Sequence, residues 1–80
     1  KYVFPNPSSD FLPITFNLQE KEPVLIALYD LRGKMLFQEE FPNTLNQRYN
    51  LNINSLPSAV YILKISGTTF NDNKRILIQK

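Results

Sequence analysis

Side chains that can do chemistry are few in this chain and nearly all of one kind. The eighty residues include no cysteine and no histidine, so there is no thiolate nucleophile, no imidazole base, no disulfide and no zinc site built from those ligands. Seven carboxylates remain: Asp10, Asp30, Asp72, Glu20, Glu22, Glu39 and Glu40. Acid–base work by a carboxylate pair needs both groups in one cleft. Glu39 and Glu40 are neighbours in a strand-like stretch and point to opposite faces. Glu20 and Glu22 stand with Gln19 and Lys21 in a polar connection, and Asp30 has the place of a turn former. Ser8, Ser9, Ser55, Ser58 and Ser66 have no histidine to activate them, and none lies in a nucleophile-elbow pattern. Asn71-Asp72-Asn73 offers hard oxygen ligands to calcium, but three consecutive side chains cannot converge on one ion without further acids, and a hairpin tip accounts for them. Catalysis, a metal and a cofactor are all unexpected.

Charge narrows the partners. The net charge is +2 and the pI about 9.1, yet the nine bases are scattered among acids, and only Lys74, Arg75 and Lys80 cluster. A nucleic-acid module shows a denser basic stripe. The longest apolar stretch, Val24 to Tyr29, falls far short of the roughly twenty residues a membrane-spanning helix needs. No secretory signal peptide lies within the chain, and residue 1 is a lysine, so an excised or processed piece of a longer protein is expected.

The elements that must position these groups are strands. Apolar residues alternate rather than recurring every three or four positions. Tyr49, Leu51 and Ile53 face one way and three asparagines the other; Tyr61, Leu63 and Ile65 form a second such face, backed by Val60, Ile62 and Lys64. Further strands are expected at Tyr2–Phe4, Leu12–Phe16, Val24–Leu28, Met35–Phe41 and Ile76–Ile78. Turns are expected at Pro5–Asp10, Asp30–Gly33, Phe41–Asn43, Ser55–Ser58 and Asn71–Asn73, where Pro, Gly, Asn and Asp supply turn chemistry. Seven short strands in one domain of residues 1–80 predict a small antiparallel β-sandwich, with a five-stranded OB-type barrel as the alternative. At this length only about 60% of the unfolded surface can be buried, enough for one modest core. Phe16, Phe37, Tyr49 and Tyr61 fall on the inward phase, so core filling is expected of them rather than a stacking platform. Tyr29, Phe11 and Phe70 are the aromatics whose exposure would favour a carbohydrate-binding or adhesive module.

Four stretches in order resemble a known family. Phe4-Pro5-Asn6-Pro7-Ser8 is similar to its opening motif, and Leu28-Tyr29-Asp30-Leu31-Arg32-Gly33-Lys34 to its strand and Tyr-Asp-x-x-Gly-Lys turn. The run from Ile53 to Ile65, with Ala59-Val60-Tyr61, resembles its Gly-Val-Tyr strand, and Lys74-Arg75-Ile76-Leu77-Ile78-Gln79-Lys80 its basic, β-branched end. The family is the type A C-terminal sorting domain of the type IX (Por) secretion system of Bacteroidetes, and the likeness covers essentially the whole chain. Ala59 departs from the family's glycine; if that position had positive φ, alanine would cost about 1 kcal/mol, so a negative φ or modest strain is expected.

The resemblance implies an immunoglobulin-like sandwich of about seven strands and a non-catalytic address label. Cargo bearing it would cross the periplasm and be recognised by the outer-membrane secretion machinery. A sortase-like protease at the cell surface would then remove the domain by cutting upstream, near Lys1. It further implies that Lys74, Arg75, Ile76, Ile78 and Lys80 carry recognition, with Gly33 and Lys34 second, while Pro5, Asn6, Pro7, Tyr29, Asp30, Ala59 and Tyr61 shape the fold. Exposed strand edges make a weak homodimer a further expectation.

Overall fold

The computed structural model describes residues 2–3 and 10–79. The strands are β1 (Tyr2–Val3), β2 (Phe11–Phe16), β3 (Glu22–Tyr29), β4 (Met35–Thr44), β5 (Arg48–Asn52), β6 (Ala59–Ser66) and β7 (Asn71–Ile78). Six of them have five residues or more, and β1 has two. They form two antiparallel sheets, one ordered β1-β2-β5 and the other β4-β3-β6-β7, rather than one closed barrel. The all-β sandwich expected from alternation is what forms. The expected motif at Phe4–Ser8 and the terminal Lys80 lie outside the described residues.

Alternation decides what the two sheets bury. Leu12, Ile14 and Phe16 of β2 and Leu51 of β5 face Val24, Ile26 and Leu28 of β3, Tyr61, Leu63 and Ile65 of β6, and Ile76 and Ile78 of β7, making one core. Leu18, Ile53 and Phe70 close it from the connections. Tyr49 and Phe37 pack against this core, and the Tyr49 ring stacks on Phe41 at 3.9 Å and meets Phe16 edge-on at 5.9 Å. Val60, Ile62 and Lys64, on the opposite face of β6, are each half-buried.

Proline positions fit the pairing. Phe16 N–H donates to Gln47 O at 2.7 Å, so by alternation the missing N–H of Pro13 points away from β5. Phe41-Pro42-Asn43 is not the turn expected of it. It continues β4, an edge strand where a proline costs no ladder bond, and a register shift opposite Pro23 absorbs the irregularity. The buried Thr44 then caps the segment by donating to Phe41 O at 3.1 Å. Asn71-Asp72-Asn73 is likewise no hairpin tip. It opens β7 opposite Ser66, Ile65 and Lys64, and the reversal is made one step earlier, where Gly67 N–H donates to Phe70 O at 2.8 Å. The β5 strand stops at Asn52, short of the expected Asn54, because the Asn52 side chain accepts from Asn54 N–H at 2.9 Å and starts a turn. Ile53 nonetheless stays buried, its N–H donating to Asp10 O at 2.8 Å.

Candidate functional site

The β3–β4 turn organises itself from its own residues. Asp30 accepts from the backbone N–H groups of Arg32 and Lys34, each at 2.9 Å. Its second oxygen meets the Arg32 guanidinium at 3.4 Å. Gly33 N–H donates to Asp30 O at 3.1 Å, Asp30 N–H to Lys34 O at 3.0 Å, and Gly33 itself has φ of 92°, a conformation that costs glycine little. The Lys34 N–H above all, then the Arg32 N–H and its charge, hold the Asp30 carboxyl below its ordinary value against a smaller opposing effect of burial. The result is a fixed turn that displays Leu31, Arg32 and Lys34 outward; all three are exposed.

A second motif comes up beside it. Tyr61 O–H donates to Pro57 O at 2.6 Å and Leu56 N–H to Ile53 O at 3.1 Å, which pins the connection before β6. Ala59 starts β6 opposite Ile78 with negative φ, so the alanine that stands in place of the family's glycine carries no strain. Between this connection and the Asp30–Lys34 turn lies an open groove of about 440 Å³. Leu31, Leu36, Leu56, Pro57, Ala59 and Val60 give it an apolar lining, and Arg32 and Lys34 its basic border. Asp30, Lys34, Ala59 and Tyr61, read from two separate stretches of sequence, therefore meet at one place. Tyr29, half-buried, continues that place onto the outer face of the sheet, paired with Ile62 and Met35.

The terminal motif divides differently from its reading as one recognition element. Ile76 and Ile78 are 5% and 0% exposed and belong to the core, so their side chains are unavailable to a partner in the folded domain. Lys74 pairs with Leu63 and so falls on the core-side phase, whereas Arg75 pairs with Ile62 on the outer face; both are exposed, on opposite faces of the edge strand β7. Leu77, opposite Val60, is 55% exposed on that same outer face. Alternation alone separates Arg75 and Leu77 from Lys74, Ile76 and Ile78, and an apolar residue out of phase, such as Leu77 or the turn's Leu31, was the available signal for exposed recognition surface.

The other candidates are placed elsewhere. Glu39 and Glu40 pair with Ile26 and Leu25 and lie on opposite faces, as alternation requires. Glu22 is not a free loop charge. It opens β3, and its carboxylate accepts from Thr69 N–H at 3.2 Å and Thr69 O–H at 3.1 Å, across 47 positions of sequence. Among the described residues no group of three or more acidic side chains is placed to hold a metal ion, and no helix is long and apolar enough to cross a membrane. Phe70 is buried and Tyr29 half-buried, while the exposed Phe11 sits on the other sheet, so these three form no common stacking surface.

Comparison with known proteins adds one finding. A family model described as a secretion system C-terminal sorting domain matches residues 2–79. No curated protein matches the sequence.

Proposed function

Because the chain belongs to the family of secretion system C-terminal sorting domains, those of the type IX system, we propose that it is a folded address label read from its surface. A signal of this kind implies contact with the type IX secretion machinery and transit to the outer membrane or cell surface, and such domains are generally non-catalytic. The family match over residues 2–79 carries the reading, and the geometry supports it: exposed side chains stand on turns and strands around a packed core.

In the finer reading the domain crosses the periplasm of a Bacteroidetes cell behind its cargo and docks on the outer-membrane machinery. A sortase-like protease then cuts near Lys1, because a protease cleft takes an extended segment more easily than a folded strand. Lys74, Arg75 and Lys80 contribute by charge, and Gly33 by holding Lys34 in its turn. The edges of β4 and β7 are open to a further strand, which favours weak self-pairing as well.

Removing Arg75 to Lys80 is a poor test, since the cut takes Ile76 and Ile78 from the core and unfolds the domain. A secreted reporter carrying residues 1–80 at its C-terminus should instead be compared with its K74E/R75E variant in cells with and without the machinery. Export of the unmodified fusion that needs the machinery, and periplasmic retention of the folded variant, are expected. Export independent of the machinery contradicts the function, and N-terminal sequencing of the released domain tests the cleavage.

A further inference from the structure

Four of the five large hydrophobic side chains that the described surface exposes, Leu31, Met35, Leu36 and Leu77, lie at one end of the four-stranded sheet; only Phe11 lies elsewhere. Register puts them side by side. Met35 is opposite Tyr29, Tyr29 opposite Ile62, and Leu77 opposite Val60, while Leu31 and Leu36 line the groove that Val60 also lines. Scattered exposed apolar side chains are ordinary, but a contiguous set beside a groove marks an interaction surface.

Basic side chains predominate at this end. Among the described residues at this end of the sheet, Arg32, Lys34 and Arg75 surround the apolar set, against one acid, Asp30, whose oxygens are already taken by Arg32 and Lys34 of its own turn. The other acids of the same sheet stand further along it: Glu39 pairs with Ile26, Glu40 with Leu25, Glu22 with Thr44 and Asp72 with Ile65. The bases nearest the groove stand on a turn whose backbone is already held by its own hydrogen bonds, so little backbone ordering is left to oppose binding.

We propose that the groove between the Asp30–Lys34 turn and the Leu56–Ala59 connection, with the apolar outer face beside it, docks a polypeptide segment that carries apolar side chains flanked by carboxylates. A polypeptide fits better than an anionic membrane, because the apolar surface is concave and side chains can enter about 440 Å³ of groove that a lipid surface spans. Three bases are also few for a membrane patch, where each contributes about 1 kcal/mol. The inference rests on the sorting reading and deepens it, by giving the machinery's contact a place and a chemistry.

The reporter fusion tests it through R32E/K34E and, separately, L31S, with K21E at the far end of the sheet as the charge control. All of these side chains are exposed, so the variants should melt within a few degrees of the parent. R32E/K34E should lower export at least tenfold and L31S severalfold, with K21E unchanged. Export of both groove variants at the parent yield overturns the docking site while leaving the sorting reading intact. Failure of the unmodified fusion to export removes the sorting reading itself, and the site with it. Sedimentation of the fusion with phosphatidylglycerol vesicles, if abolished in R32E/K34E, assigns the bases to a membrane and also overturns the proposal.

Discussion

Two turns at opposite ends of the same sheet are built on opposite logic. Asp30 to Lys34 is closed by its own side chain and by a glycine at φ 92° around which a Cβ would meet nothing within 4 Å. Gly67 to Phe70 has one local bond, from Gly67 N–H to Phe70 O at 2.8 Å, and is otherwise held from a distance. Glu22 holds Thr69 from 47 positions away, and a Cβ on Gly67 would run into Glu22 Oε1 and reach Phe70 Cε1 at 2.7 Å. One glycine is there for its backbone, the other for its lack of a side chain. A turn that holds itself leaves its outward side chains free for a partner, whereas a turn held by the rest of the fold serves the fold.

Substitutions that exchange these roles measure the difference. The largest effect is expected for Gly67→Ala, where overpacking against Phe70 and Glu22 should cost about 1–3 kcal/mol. Thermal melting reads this, at roughly 4–8 °C per kcal/mol for a domain of this size. Gly33→Ala should cost about 1–2 kcal/mol through backbone conformation alone. Glu22→Ala should lose about 1 kcal/mol with the Thr69 bonds. Combined with Gly67→Ala it should cost less than the sum, because it removes one of the colliding atoms, while its effect and that of Gly33→Ala should add. Additivity in both double variants would erase the distinction between the turns.

The smallest effect is expected for Asp30→Asn, and its size depends on pH. The carboxyl is held below its ordinary value in the folded domain, so its contribution is complete above the unfolded value and is lost as pH falls through the folded one. The melting difference between the parent and Asp30→Asn should therefore be greatest at neutral pH and shrink on acidification. A constant difference would contradict the role given to the Lys34 and Arg32 donors.

The same contrast explains what the sequence discloses. Asp30-Leu31-Arg32-Gly33 is legible because every bond that closes it is local, and the inward phases of β2, β3 and β6 are legible because alternation is local as well. Asn71-Asp72-Asn73 has the composition of a turn but lies in β7, since the reversal is already made at Gly67–Phe70, where Glu22 also holds Thr69, a partner that local composition does not indicate. Phe41-Pro42-Asn43 misleads in the same way: proline reads as a stop until β4 is known to be an edge strand beside a register shift. The site was half legible. Family likeness drew attention to Ile76 and Ile78 although their spacing already placed them in the core, while the convergence of Leu31, Leu36 and Val60 required the sheet register.

If the self-held turn carries recognition and the far turn only supports the fold, the two should separate in export. Exported reporter should be measured side by side for Gly67→Ala and R32E/K34E, at a temperature where both remain folded. Gly67→Ala, less stable but unchanged at the groove, should export like the parent, and R32E/K34E, stable but recharged, should be retained. Retention of the first with normal export of the second would contradict that division of roles.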